Sequence, residues 1–190
     1  MNILQLDSSI TGEASASREL TAAIVKALRA AHPEAELTYR DLAAQPLEHL
    51  TLPGFASAES QTALAEFKTA DIVVVGAPMY NFTIPSQLKA WVDRVLVAGE
   101  TFRYTATGPE GLMGDKRVIV AVTRGGLYGA DSAMRSIEHA ERYLTDAFAF
   151  IGITDPTFVI AEGLKISDEA RAAAMAAALA GVDALTPLAA

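Results

Sequence analysis

Ile72-Val73-Val74-Val75-Gly76-Ala77-Pro78-Met79-Tyr80-Asn81-Phe82 is the stretch whose reading decides the fold. A β-branched run of this kind reads as a strand buried on both faces, as in a parallel sheet. It ends in a proline-containing loop that carries a thioether, two aromatics and an amide. A helical pattern follows at once, with Leu88, Trp91, Val92, Val95 and Leu96 on its apolar side. The arrangement places a flat, partly polar loop at the carboxyl end of a central strand. Open α/β sheets bind ligands there, and a planar heteroaromatic ring suits such a loop best.

Apolar and amphipathic runs alternate outward from this centre. The expected strands are Asn2–Leu6, Glu36–Tyr39, Asp71–Gly76, Arg117–Val122 and Thr157–Ile160. The expected helices are Ser17–Ala31, Gln61–Thr69, Pro85–Ala98, Ser132–Phe150 and Ser167–Ala180. Leu20, Ile24 and Leu28 recur every four residues and share one helix face, with Ser17 as a candidate N-cap and Pro33 beyond the end. Strands separated by helix-length segments imply right-handed βαβ units. The expected fold is therefore an α/β/α sandwich in three layers around a five-stranded parallel sheet, with residues 1–190 as a single domain. Gln45–Ala58, containing Pro46, Pro53 and Gly54, reads as a surface loop.

With 190 residues, 51% of them apolar, the chain can bury a sizeable core. Its net charge of −8 disfavours a nucleic-acid partner, which needs a basic face. Cysteine is absent, which excludes disulfides, a thiolate nucleophile and cysteine metal sites. The first residues lack a basic stretch before the apolar run, and no apolar run approaches membrane-spanning length, so no signal peptide, no membrane span and a cytoplasmic location are expected. His32, His49 and His139 are isolated and read as surface or locally bonded, with no metal site. Glu138, Glu141 and Asp146 read as a solvated face. Trp91 reads as core or dimer interface.

Three loops meet at the carboxyl rim of such a sheet. Asp7–Ser17 is rich in hydroxyls and leads into a helix N-terminus. Hydroxyls, free N–H groups and the helix dipole together suit a phosphomonoester. Neither a dinucleotide fingerprint nor a P-loop is present. Pro78–Phe82 offers a ring platform, and Thr123-Arg124-Gly125-Gly126 offers backbone N–H groups to a ring edge. Each loop alone has an ordinary reading: a serine-rich turn, a buried aromatic corner and a tight turn. Together, a phosphate end, a ring face and a ring edge describe FMN.

The chain resembles the FMN-dependent NADH-azoreductases, which are also NADH:quinone oxidoreductases of flavodoxin-like fold. The resemblance runs through Ser8-Ser9, Ser15-Ala16-Ser17, Arg40-Asp41-Leu42-Ala43 and Ala77–Phe82. It continues through Gln87-Leu88-Lys89, Thr101-Phe102-Arg103-Tyr104, Gly108–Leu112, Thr123–Gly126 and Phe150–Asp155. It implies that Ser9, Ser15, Ala16 and Ser17 hold the phosphate. Met79, Tyr80, Asn81, Phe82, Thr123, Arg124, Gly125 and Gly126 are then placed against the isoalloxazine, with Tyr104 and Phe150 near the acceptor. It also implies a homodimer with flavin sites at the interface, and a ping-pong cycle in which NADH supplies hydride and a quinone or azo compound receives it. No acid–base dyad is needed, because the flavin carries the chemistry. Thr123 stands where several members have serine, keeping the hydroxyl. Leu50–Gln61 is shorter than in some members, where it shapes the substrate mouth. Two other classes fit the rim: a flavodoxin-like carrier passing electrons to a protein, and a nucleotide-binding module without redox chemistry.

Overall fold

The computed structural model describes residues 1–186. In chain order the elements are β1 (Asn2–Asp7), α1 (Ala16–Ala31), β2 (Glu36–Asp41), α2 (Ala58–Thr69), β3 (Ile72–Pro78) and α3 (Ser86–Val95). They continue with β4 (Phe102–Thr105), β5 (Gly108–Gly111), β6 (Arg117–Thr123), α4 (Ala140–Phe150), β7 (Thr157–Ala161) and α5 (Asp168–Ala180). The main sheet is five-stranded in the order β2-β1-β3-β6-β7, with every pairing parallel. The strand order reverses between β1 and β3, so the loops after these two strands flank the crevice where doubly wound sheets bind ligands.

Side chains alternate across the sheet with period two. Ile3, Ile72, Val74 and Ile119 pack with Leu20, Ile24 and Leu28 of α1 and Met175 of α5. Leu4, Val73, Val75 and Val120 pack on the other face with Phe67 of α2, Trp91 of α3 and Leu144 of α4. All of β3 is buried, and each fully buried valine there contributes about 1.5–3 kcal/mol of transfer free energy. Trp91 is core, its ring meeting Phe67 edge-on at 5.6 Å.

All five expected strands form, and each runs one or two residues further toward the rim. Ladder pairing, not apolarity, decides where a strand ends: Ala77 and Pro78 stay in register with Val122 and Thr123. Helix boundaries differ where a cap decides. Ser15, not Ser17, caps α1. Its backbone is extended (φ −80°, ψ 119°) and its hydroxyl accepts from Arg18 N at 3.3 Å. α2 begins at Ala58 because Ser57 accepts from Ser60 N. α3 stops at Val95, whose carbonyl accepts a 2.6 Å hydrogen bond from the Thr101 hydroxyl.

The expected helix Ser132–Phe150 is corrected to α4 alone, preceded by turns and a short 3-10 segment, Arg135–Ile137. Glu138 accepts from Ala140 N and Glu141 N and so sets the start of α4. The antiparallel hairpin β4–β5 has no counterpart among the expected elements.

Candidate cofactor and acceptor site

Loop by loop, the carboxyl rim is built from short local interactions. After β1, the Ser8 hydroxyl donates to Gly76 O at 2.6 Å and ties this loop to β3. Ser9 Oγ lies 3.0 Å from Thr11 Oγ1, and Ser15 Oγ lies 3.1 Å from Ser17 Oγ. The two serines Ser15 and Ser17, with Ala16 between them, ring the N-terminus of α1. The first-turn N–H groups of a helix lack intrahelical acceptors, and the dipole favours an anion there.

Arg18 braces this loop from behind. It is bidentate to Asp41 (2.7 and 2.8 Å) and donates to Ser9 O at 3.0 Å. Burial pushes the Asp7 carboxyl above its ordinary value, against hydrogen bonds from Thr21 and Tyr39 and the charge of Arg18. The Arg18 hydrogen bond holds Asp41 below its ordinary value. These shifts act with opposite sign. Asp41 contributes stability that is present above an unfolded value of about 3.9 and lost as pH falls through its lower folded value. Asp7, being raised, loses stability as pH rises through its folded value. Asp7→Asn is therefore expected to raise the melting temperature relative to wild type more at pH 7 than at about pH 4. Melts at both pH values check this, and an advantage that shrinks with rising pH would contradict it.

The loop after β3 is a two-residue reverse turn. Tyr80 and Thr83 exchange backbone hydrogen bonds of 2.9 and 3.2 Å, and both central residues have positive φ, Asn81 at 47° and Phe82 at 74°. That is the backbone of a type I′ turn. Asn tolerates it; Phe does so only under strain, at about 1–3 kcal/mol. Strain of this kind marks a site where the backbone is held for a purpose. Phe82→Gly is expected to raise stability by up to about 1 kcal/mol while weakening flavin binding. Melting of the apo-protein and an FMN titration test the pair, and unchanged FMN affinity would contradict the assignment.

Tyr80 joins the first two loops. Its hydroxyl lies 3.2 Å from Ser9 Oγ and accepts from Ile10 N at 3.2 Å. Met79 N donates to Thr123 O at 2.8 Å and joins the second loop to the third. In that third loop the Gly125 and Gly126 carbonyls accept from Lys165 N and Gly163 N. Neither glycine N–H has an acceptor among the described residues. A Cβ at Gly125 would press on the Lys165 stem at 3.3 Å.

One reading of side chains is corrected here, that of Glu138 and Glu141. The Arg124 guanidinium is 1% exposed and turned into a cluster with Glu138, Glu141 and Glu162. Its backbone N–H and carbonyl are also taken, by Ala161 O and Leu164 N. Glu138 and Glu141 are accordingly not a solvated face; only Asp146 of the three acids is exposed there. Burial raises the Glu141 carboxyl, but hydrogen bonds from Arg135 and Arg124 outweigh it and hold it below its ordinary value.

Tyr104 and Phe150 come together on Phe102, with ring centroids 5.6 and 4.7 Å away. Tyr104 is 73% exposed. No hydrogen bond or ring contact joins this aromatic group to Met79–Phe82 or Thr123–Gly126 among the described residues. Tyr128 and Glu162 escaped the sequence reading, and Phe102 entered it only within the motif Thr101-Phe102-Arg103-Tyr104, with no role of its own.

Residues 1–185 match the family whose model is described as having the flavodoxin-like fold. An FMN-dependent NADH:quinone oxidoreductase of Xanthomonas campestris pv. campestris is 54% identical, over 97% of this chain and 99% of its own. The chain belongs to this family. FMN-dependent NADH:quinone oxidoreductase 2 of Bradyrhizobium diazoefficiens is 52% identical over 94% of this chain and 96% of its own. Among solved structures, azoreductase AzrA superposes with a TM-score of 0.89 at 27% identity, covering 98% of this chain and 99% of that one. The relatives named here thus match the chain nearly end to end. The rim fits the cofactor in the names of the two oxidoreductases: a hydroxyl-lined helix N-terminus for a phosphate, a strained aromatic turn for a ring, and two glycine N–H groups without an acceptor among the described residues for its edge.

Proposed function

We propose that this chain is an FMN-dependent NADH:quinone oxidoreductase that also reduces azo compounds, acting as one flavin-binding domain. The observation that carries this reading is the Tyr80 hydroxyl, 3.2 Å from both Ser9 Oγ and Ile10 N. It fuses the phosphate-type loop and the ring-type loop into one site of the shape a flavin mononucleotide needs. Ser9, Ser15, Ala16 and Ser17 would hold the phosphate. Met79, Tyr80, Asn81 and Phe82 would lie against the ring, and Thr123, Gly125 and Gly126 at its edge, with Arg124 acting from beneath. Bound there, FMN would supply the hydride chemistry between NADH and the acceptor. The protein's part is to fix the ring and leave one face open to a flat partner. No protein acid or base is assigned a step.

Tyr104 and Phe150 are proposed to reach the acceptor across a homodimer interface. The exposed Tyr104 ring, joined to the flavin loops of its own subunit by no hydrogen bond or ring contact among the described residues, supports this, as does the exposed rim of Ile10, Phe82, Leu127 and Met134. Light scattering after size exclusion is expected to give a dimer, and full activity in a monomer would contradict the shared site. No described helix is long and apolar enough to cross a membrane; a cytoplasmic location is proposed on the sequence grounds given above.

Initial rates with NADH and p-benzoquinone test the cycle. Parallel double-reciprocal lines are expected, because both substrates use the same open face in turn. Intersecting lines would contradict the cycle, and failure to consume NADH would contradict the function.

A further inference from the structure

Resting on the reading that the rim holds FMN, we propose that Arg124, acting through Glu138 and Glu162, is the positioning residue for the ring end of the flavin site. The guanidinium is fully buried and meets three carboxylates: Glu141 at 2.7 Å, Glu138 at 3.1 Å and Glu162 at 3.4 Å. Arg135 joins the cluster at 3.0 Å from Glu141.

Burying so much charge is a poor way to gain stability, since desolvation offsets most of the attraction. The cluster is also imperfectly matched. Arg124 Nε and Glu138 Oε2 have no hydrogen-bond partner among the described residues. Its geometry makes sense through what each carboxylate holds besides the arginine.

Glu138 Oε1 accepts from Ala140 N and Glu141 N. That fixes the residue before them, His139, whose N–H donates to the Phe82 carbonyl at 2.8 Å. Phe82 is the strained residue of the ring platform. Glu162 Oε2 accepts from Tyr128 N at 2.9 Å, and the Tyr128 ring meets Phe82 edge-on at 6.5 Å. Arg124 itself opens the Gly125-Gly126 loop and is stitched by its own backbone to Ala161 and Leu164. One guanidinium therefore connects the platform carbonyl, the ring beside it and the edge loop. Among the described residues none of these side chains hydrogen-bonds Ser9 or Ser15–Ser17, which the Tyr80 hydroxyl joins to the platform. Loosening the cluster should impair the ring end first.

FMN and riboflavin share the ring and differ in the phosphate, so their affinities separate the two ends. The test compares wild-type apo-protein with the double variant Arg124→Gln/Glu138→Gln and the single variant Glu162→Gln. The glutamine at 138 can still cap α4, and Glu162 is partly exposed, with its side chain 28% accessible. Dissociation constants for both flavins, the bound flavin's visible spectrum and the apo melting temperature are measured.

In the double variant both dissociation constants are expected to rise by about tenfold or more and by the same factor, as loss of charge-assisted hydrogen bonds would give. The bound spectrum is expected to lose its wild-type band shape. A folded variant with unchanged affinities and spectrum would overturn the proposal, and so would a loss confined to FMN. Should the double variant fail to fold, Glu162→Gln decides: about a threefold rise for both flavins supports the proposal and unchanged constants overturn it. Wild-type protein that binds neither flavin would overturn the FMN reading itself, and the proposal with it.

Discussion

Ser15→Asp is expected to cut FMN affinity by roughly a hundredfold while leaving riboflavin binding and protein stability close to wild type. Aspartate is as good an N-cap as serine, so its carboxylate can replace the hydroxyl that accepts from Arg18 N. An added acid at a helix N-terminus is favourable for the dipole. The same carboxylate would lie within about 5 Å of a phosphate held by Ser9 and Ser17. Two like charges at that separation, at an effective dielectric of about 20, repel by about 3 kcal/mol. Riboflavin carries no phosphate and escapes the penalty. Fluorescence titrations with both flavins, beside a melt of the apo-protein, check all three parts. Equal losses for the two flavins would remove the phosphate from this end of the rim.

Gly111→Ala is expected to be the most damaging methyl added at any described glycine. A Cβ there would stand 2.1 Å from Gly152 N and 2.2 Å from the Ile151 carbonyl carbon. Both neighbours are backbone, so no side-chain rotation relieves the clash. Gly152 is itself at φ +101°, and Met113 N is bound to Ile151 O at 2.8 Å. The hairpin would have to lift away from the end of α4. That separates Phe102 from Phe150, now 4.7 Å apart. A loss of about 3 kcal/mol or more is expected, or on the order of 10 °C in melting temperature. The flavin loops are not part of this crossing. Flavin affinity should survive at temperatures where the variant is folded, while KM for the quinone rises. A melt within a degree of wild type would contradict the account of the crossing.

The sequence carried the sheet well because its central strands β3 and β6 are nearly uninterrupted apolar runs and α1 keeps a four-residue apolar spacing. The rim loops were legible because strand ends in a parallel sheet must meet, so three weak signals reinforced one another. What escaped was decided at longer range. Asn81-Phe82 gives no type I′ signal, because that turn is normally announced by glycine at the second position. The Phe82 carbonyl and ring are held from elsewhere, by His139 N and by the Tyr128 ring. Glu138 and Glu141 look like surface acids in their local context. Their burial follows from Arg124, on another strand's loop. The hairpin β4–β5 is short and mostly exposed, so no hydrophobic period marks it. Ser15 and Ser17 are equally good caps in composition, and only the extended backbone at Ser15 chooses between them.

The central claim is that the rim holds FMN and passes two electrons from NADH to a flat acceptor. It is tested most directly by an anaerobic titration of the FMN-loaded protein followed in the visible spectrum. One equivalent of NADH per bound flavin is predicted to remove the oxidised flavin band, and one equivalent of p-benzoquinone to restore it in full. Protein that retains FMN but keeps its oxidised band when NADH is added, or that stays reduced when the quinone follows, would contradict the account.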